Sequence, residues 1–246
     1  MKLEGIERYR KAIYALQEDI ITSQSDSLDA AAALMLNAVK GERSIFLFGT
    51  GHSHMLAEEG HYRAGSLVNF IPILMTGVML HEKSQLSGQI ERTSGIAAPL
   101  LDSYHPEPDD VLFVFSNSGV NTMPVEMVLA AQERDMYVIS VSSFAYASVA
   151  PLSVAGRRLH EIADVAIDNR IVPGDALIAL EGLPWRVAPA STIAGSFILN
   201  SLVTEVAFRL CRDKHDVPIY VSFNMTGAAA HNRELLEKWG KRNPHL

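Results

Sequence analysis

SIFLFGTGHS, residues 44–53, changes character halfway along. Ser44 to Phe48 is an apolar run of strand type, and Gly49-Thr50-Gly51-His52-Ser53 is a tight, glycine-bearing loop. A helical stretch from about His54 to Ala64 follows at once. A buried strand that ends in a glycine turn ahead of a helix is the layout of an anion site, because loop amides and a helix start can point at one negative group. Gly49 and Gly51 allow backbone angles and approaches that a side chain would block. Ser53 stands where a capping hydroxyl is expected.

A second stretch has the same grammar. Asp110–Phe115 (DVLFVF) reads as a fully buried strand, and Ser116-Asn117-Ser118-Gly119-Val120-Asn121-Thr122 follows it. Pro124–Arg134 then reads as a helix. The loop is dense in hydroxyl and amide donors and carries no charge, so it suits a phosphate or a cluster of sugar hydroxyls. Neither loop matches the dinucleotide fingerprint G-x-G-x-x-G or the phosphate loop that ends in Lys-Ser/Thr. A nucleotide is therefore disfavoured, and no cofactor is expected.

Working outward, Leu3–Ile21 and the alanine-rich Leu28–Val39 read as helices broken at Ser25-Asp26-Ser27, with Gly41 as a C-terminal cap glycine. They form a hairpin at about residues 1–41. Leu67–Leu74 is a short strand that Pro72 places toward a sheet edge. Met75–Gln89 reads as loop, Thr93–Tyr104 as helix, and Tyr137–Val141 and Asp164–Ile167 as strands. Arg170–Pro184 reads as loop with room for one more strand. Ala190–Leu210 is the longest apolar helix, capped by Ser191 or Thr192, with Phe197, Ile198, Leu202, Val206 and Leu210 as its core stripe. Ser196, Asn200 and Thr204 lie on another face of it. A last helix runs from about 228 to 240. Strands alternating with helices imply an α/β fold with a parallel sheet and ligands at the strands' carboxyl ends, where both loops fall.

The chain has 246 residues, 48% hydrophobic and 20% charged, which suits one domain with a sizeable core. The formal charge is −7 and no basic run appears, so nucleic acid is not an expected partner. Cys211 is the only cysteine, which excludes an internal disulfide, and it reads as a small buried residue. The start of the chain, MKLEGIERYRK, is not a signal peptide. No apolar run is expected to reach the roughly 20 residues of a membrane span. No membrane and a cytoplasmic location are the expectation.

The strand followed by GTGHS, the strand followed by SNSG, and Ser191-Thr192 opening a long helix together resemble the SIS (sugar isomerase) domain over about residues 28–212. The likeness is to a stand-alone branch, and more distantly to phosphoheptose isomerases and N-acetylmuramic acid 6-phosphate etherases. The resemblance implies a flavodoxin-like three-layer αβα sandwich, dimeric or tetrameric, that binds phosphosugars. It implies that Ser116, Ser118 and Gly119 hold the phosphate and that Ser53 matches the first-loop serine. The substrate-binding set expected is Gly51, His52, Ser53, Ser116, Asn117, Ser118, Gly119, Asn121, Thr122, Ser191 and Thr192. The sequence departs from those relatives at the acid/base positions. Arg63 stands where the isomerases carry a glutamate, the etherase glutamate falls near His61, and the late helix has no histidine.

Other groups must then carry any chemistry. Glu58 and Glu59 are neighbours on a helix that turns about 100° per residue, so they diverge. Glu59 and His231 are the candidate catalytic pair, with His231 serving a site shared between two subunits. His54, Glu58 and His61 do not have the spacing of a known zinc motif, and no metal is expected. Glu205 calls for an arginine partner. Two readings stay open: a sugar-phosphate isomerase or related lyase, and a phosphosugar-binding sensor without chemistry. Both assign a homodimer or homotetramer.

Overall fold

In a computed structural model that describes residues 3–246, the helical hairpin is α1 (Glu4–Ser23) and α2 (Ser25–Lys40). The first two residues of the expected hairpin lie outside the described residues. Gly41 is not the left-handed cap: its φ is −85°, and Glu42 at φ 54° turns the chain. The core then alternates β1 (Ile45–Gly49), α3 (His54–Gly60), β2 (Phe70–Pro72), α4 (Ser84–Ile90), α5 (Ala97–Asp102), β3 (Val111–Phe115), α6 (Thr122–Gln132) and β4 (Tyr137–Ser142). Two short helices follow, α7 (Phe144–Val149) and α8 (Leu159–Ile162), and then β5 (Val165–Asp168). A hairpin of β6 (Ala176–Ile178) and β7 (Val187–Pro189) leads to α9 (Ser191–Arg212) and α10 (Ala228–Trp239).

Among the described residues the main sheet has five strands in the order β2-β1-β3-β4-β5, every pair parallel. This is the flavodoxin-like order, and its direction of winding reverses between β1 and β3. Successive side chains of a strand point to opposite faces. Ile45, Leu47, Phe113 and Phe115 therefore join α2, α3 and α9 in one core. Phe46, Phe48, Leu112 and Val114 join α5, α6 and α8 in the other. Helix, sheet and helix make three layers. Because both faces are covered, the strands are continuous apolar runs, which is why they are legible in the sequence.

Several expectations are corrected here. Met75–Gln89 is not all loop, since it holds a 3₁₀ turn at Thr76–Val78 and most of α4. The helix after β1 stops at Gly60, well short of Ala64. Cys211 is exposed, not buried. Among the described residues one helix, α9, is long and apolar enough by composition to span a membrane, contrary to the expectation of none. Its inner face, with Ala194, Ile198, Leu202, Val206 and Leu210, is buried in the core. The hairpin helix α1 packs outside this layer. Its Tyr9 hydroxyl donates to the carbonyl of Pro189 (2.8 Å) and its Arg8 guanidinium to that of Ala179 (2.8 Å), which ties α1 to the β6–β7 hairpin.

Candidate functional site: the cleft at the strand switch

The reversal of winding leaves a cleft beyond the carboxyl ends of β1 and β3. Ser53 lines it from the first loop, Ser116 and Asn117 from the second, Asn169 from the end of β5, and Ser191 and Thr192 from the start of α9. The cleft holds about 10 Å³ of free space, room for one water. It adjoins an open groove of about 600 Å³ along α9, and Thr192 lines both. Ser196, Asn200 and Thr204, the polar row at helical spacing, line that groove.

Backbone geometry sets the loops. A Cβ on Gly49 would lie 2.5 Å from the carbonyl oxygen of Ser53, so the first loop can fold back this tightly only over glycine. Gly119 has φ 64°, and a Cβ there would stand 3.1 Å from that of Ser142. His54 Nδ1 donates to the carbonyl of Gly51 and closes the first turn. Ser53 is not the expected cap: it has helical angles inside a 3₁₀ turn, and its hydroxyl makes no capping bond. Its side chain lines the cleft.

The other expected residues divide into those free to meet a ligand and those already engaged. Asn117 Oδ1 accepts from Asn169 Nδ2 (3.0 Å), and the Asn117 carbonyl accepts from the Ser143 amide (2.9 Å). Ser191 Oγ donates to Asp175 (2.8 Å), and the same carboxylate accepts from the Ser191 and Ala190 amides, so Asp175 and not Ser191 or Thr192 caps α9. Asn121 Nδ2 donates to Glu91 (3.1 Å). Ser116 is buried, Ser118 half-buried and His52 exposed. Thr122 opens α6, with Gly51 and Gly119 supplying the bends.

Glu59 points onto the groove. Its Oε1 accepts from Asn200 Nδ2 (3.2 Å) and Ser196 Oγ (3.4 Å), while its Oε2 pairs with Arg63 (2.9 Å). Glu58 lies on the other side of the helix, exposed, 3.8 Å from His54. His61 also turns away, its ring 5.9 Å from that of His245. His231 does not come to the cleft within one chain. Its Nε2 donates to the carbonyl of Ile219 (2.9 Å), and it lines a separate cavity with Lys40, His215 and Glu234. Glu205 has its arginine, Arg209, at 2.7 Å. Among the described residues no three His, Cys, Asp or Glu side chains are grouped to hold a metal ion.

Sequence reasoning missed Glu91. It follows α4, is almost buried, and its carboxylate reaches both loops: Oε2 accepts from Thr50 Oγ1 (2.8 Å) and Oε1 from Asn121 Nδ2. No spacing motif marks it, since its partners are 41 and 30 residues away.

Residues 8–143 match the family model for the SIS domain. A UPF0309 protein of Brucella canis is 40% identical over 243 residues, 99% of each chain, and one of Brucella suis biovar 1 is equally similar. Among solved structures, a phosphoheptose isomerase of Francisella tularensis superposes with a TM-score of 0.56 at 16% identity, covering 84% of this chain and 98% of that one. The phosphoheptose isomerase of Neisseria gonorrhoeae gives 0.53 at 17%, covering 84% and 98%. At those identities the likeness is one of fold. The family model and the full-length relatives carry the assignment: this chain belongs to the SIS domain family, in the branch of the UPF0309 proteins.

Proposed function

We propose that the protein binds a phosphosugar, with the phosphate on Ser116–Thr122 and the first loop and the sugar along the α9 groove. The observation that carries this reading is the pairing of two unlike spaces at one switch point. One is a tight cleft that carries neutral hydroxyl and amide groups, and the other is a 600 Å³ groove with a polar row, two members of which bond the Glu59 carboxylate. Hydrogen bonds to a charged group are worth about 1.5–3 kcal/mol each, so several neutral donors can hold a phosphate without a lysine. With room for about one water, the cleft must widen by a loop movement as the phosphate enters.

The chemistry proposed is that of a sugar-phosphate isomerase or a related lyase. A base moves a proton between neighbouring carbons through an enediol, and a second group serves the hydroxyls. Glu59 is the base: it is about two helical turns, roughly 9 Å, from the first loop, a span similar to that from a hexose phosphate to C1–C2. His231 is the second group, supplied to the groove by a second copy of the chain. The outer face of α9 favours such a copy, because Ile193 and Phe208 stand exposed on it. The test is turnover of a panel of aldose and ketose phosphates, with thermal shift on the same panel. Binding at 100 times the dissociation constant stabilises by about 2.7 kcal/mol.

The ion pair between Glu59 and Arg63 favours a second reading, a phosphosugar sensor, because one oxygen of that carboxylate is already held by a partner. Tight binding of one phosphosugar with no turnover of any would select it.

A further inference from the structure

We infer that Glu91 is a positioning residue: its carboxylate clamps the first and second loops in register, and the phosphate site exists only while the clamp is closed. The clamp itself stands on hydrogen bonds, whereas its effect on a ligand rests on the phosphosugar reading above.

Glu91 is an unusual residue to find here. A carboxylate beside a site for an anion repels that anion, and burying one costs free energy unless its oxygens are bonded. Both of its oxygens are used. Oε2 takes the Thr50 hydroxyl at 2.8 Å, from the residue between the two glycines of the first loop. Oε1 takes the Asn121 amide at 3.1 Å, from the residue that precedes α6. Arg92 stands 2.9 Å from Oε1 and offsets the charge. The Glu91 carbonyl also accepts from the Met123 amide (2.9 Å), so its backbone and side chain both hold the start of α6. Charge-assisted bonds of this kind are about twice as strong as neutral ones.

The two loops leave neighbouring parallel strands, and a ligand between them is gripped only if their spacing is fixed. The sheet fixes that spacing as far as Gly49 and Phe115, the last pair in register. Beyond that pair Glu91 bridges residues on both sides. Pre-ordering the donors removes an entropic cost that the ligand would otherwise meet on binding.

The test reads the clamp without a ligand first. The Ser53 amide is held by the Thr50 carbonyl and the Val125 amide by the Asn121 carbonyl. In Glu91→Ala, hydrogen exchange at both amides should speed up at least about 10-fold while the β4 amides stay unchanged. Glu91→Gln keeps an oxygen for Asn121 and offers a donor to the Thr50 hydroxyl, so it should restore protection. Thr50→Val removes one arm in a side chain of similar shape and should loosen Ser53 alone. Unchanged exchange in Glu91→Ala, or a Glu91→Gln as loose as the alanine variant, overturns the clamp. Inorganic phosphate, followed by phosphorus NMR, is then titrated into the same proteins. Affinity should fall about 10-fold in Glu91→Ala and recover in Glu91→Gln. Looser loops with unchanged phosphate affinity would overturn the inferred link to the site. A wild type that binds neither phosphate nor any phosphosugar would defeat the functional reading and leave the exchange result standing.

Discussion

Glu59 is the residue on which the proposed chemistry turns. Its carboxylate shares a patch with Ser196, Asn200 and Arg63 at the mouth of the groove. Glu59→Gln keeps the size and an acceptor for Asn200 and Ser196, but loses the ion pair with Arg63 and removes the proposed base. We expect kcat to fall at least about 100-fold with phosphosugar affinity nearly intact. His231→Ala should lower kcat to a smaller degree. Full turnover in Glu59→Gln would remove Glu59 from the mechanism. A second prediction concerns how α3 and α9 meet. A Cβ on Gly195 would lie 2.4 Å from the Leu56 Cδ1, and Leu56 is itself buried. Gly195→Ala should therefore destabilise by about 1–3 kcal/mol, the usual cost of overpacking, seen as a lowered Tm. An unchanged Tm would mean that the two helices part at no cost. The same residues show what a sequence can reveal. The divergence of Glu58 and Glu59 was legible from helical spacing, whereas the bonds of Glu91 were not, because only the fold brings Thr50 and Asn121 to it.

At the scale of elements, the end of the chain latches the edge strand. The turn Gly240–Arg242 follows α10, and Arg242 grips the fully buried Asp110 at 2.6 Å. His245 Nε2 meets the Tyr104 hydroxyl and the Pro72 carbonyl, each at 3.0 Å. His61 stacks edge-on against it with a buried Nδ1 that has no partner. Burial first, and the neighbouring His245 second, hold the His61 pKa below the ordinary value of about 6.5. The unfolded chain then binds a proton at a higher pH than the folded one. Stability conferred by neutral His61 is present above about pH 6.5 and declines as the pH falls through the folded-state value. Urea midpoints between pH 7.5 and 5 should drop more steeply for the wild type than for His61→Phe. Parallel curves would remove His61 from that dependence. The elements least legible in the sequence were short ones. Helix α4 (SQLSGQI) contains a glycine and two serines, and β6 and β7 span three residues each. Local preference is weak in such pieces, and tertiary bonds, such as the Glu91 carbonyl to Met123, settle them.

At the scale of the molecule, the parallel sheet follows from continuous apolar strands alternating with helices, and those were legible, whereas the flavodoxin-like order and the three layers came with the resemblance to the SIS domain. The expected assembly rests on surplus apolar surface alone. That of α2 is absorbed: Ala31, Ala32, Met35, Ala38 and Val39 face the core. That of α9 is not, and Phe208 is 74% exposed. We expect light scattering to give a dimer or tetramer at micromolar concentration, and Phe208→Glu to shift it toward monomer. A monomeric wild type would leave His231 without a route to the groove. The proposed function requires that the loop after β3 hold the phosphate of a sugar. Calorimetric titration of wild type and Ser118→Ala with a phosphosugar and with its unphosphorylated counterpart tests this most directly. The account predicts that Ser118→Ala weakens the phosphosugar about 10- to 100-fold, corresponding to about 1.5–3 kcal/mol, and hardly changes the free sugar. Equal losses for both ligands would contradict it.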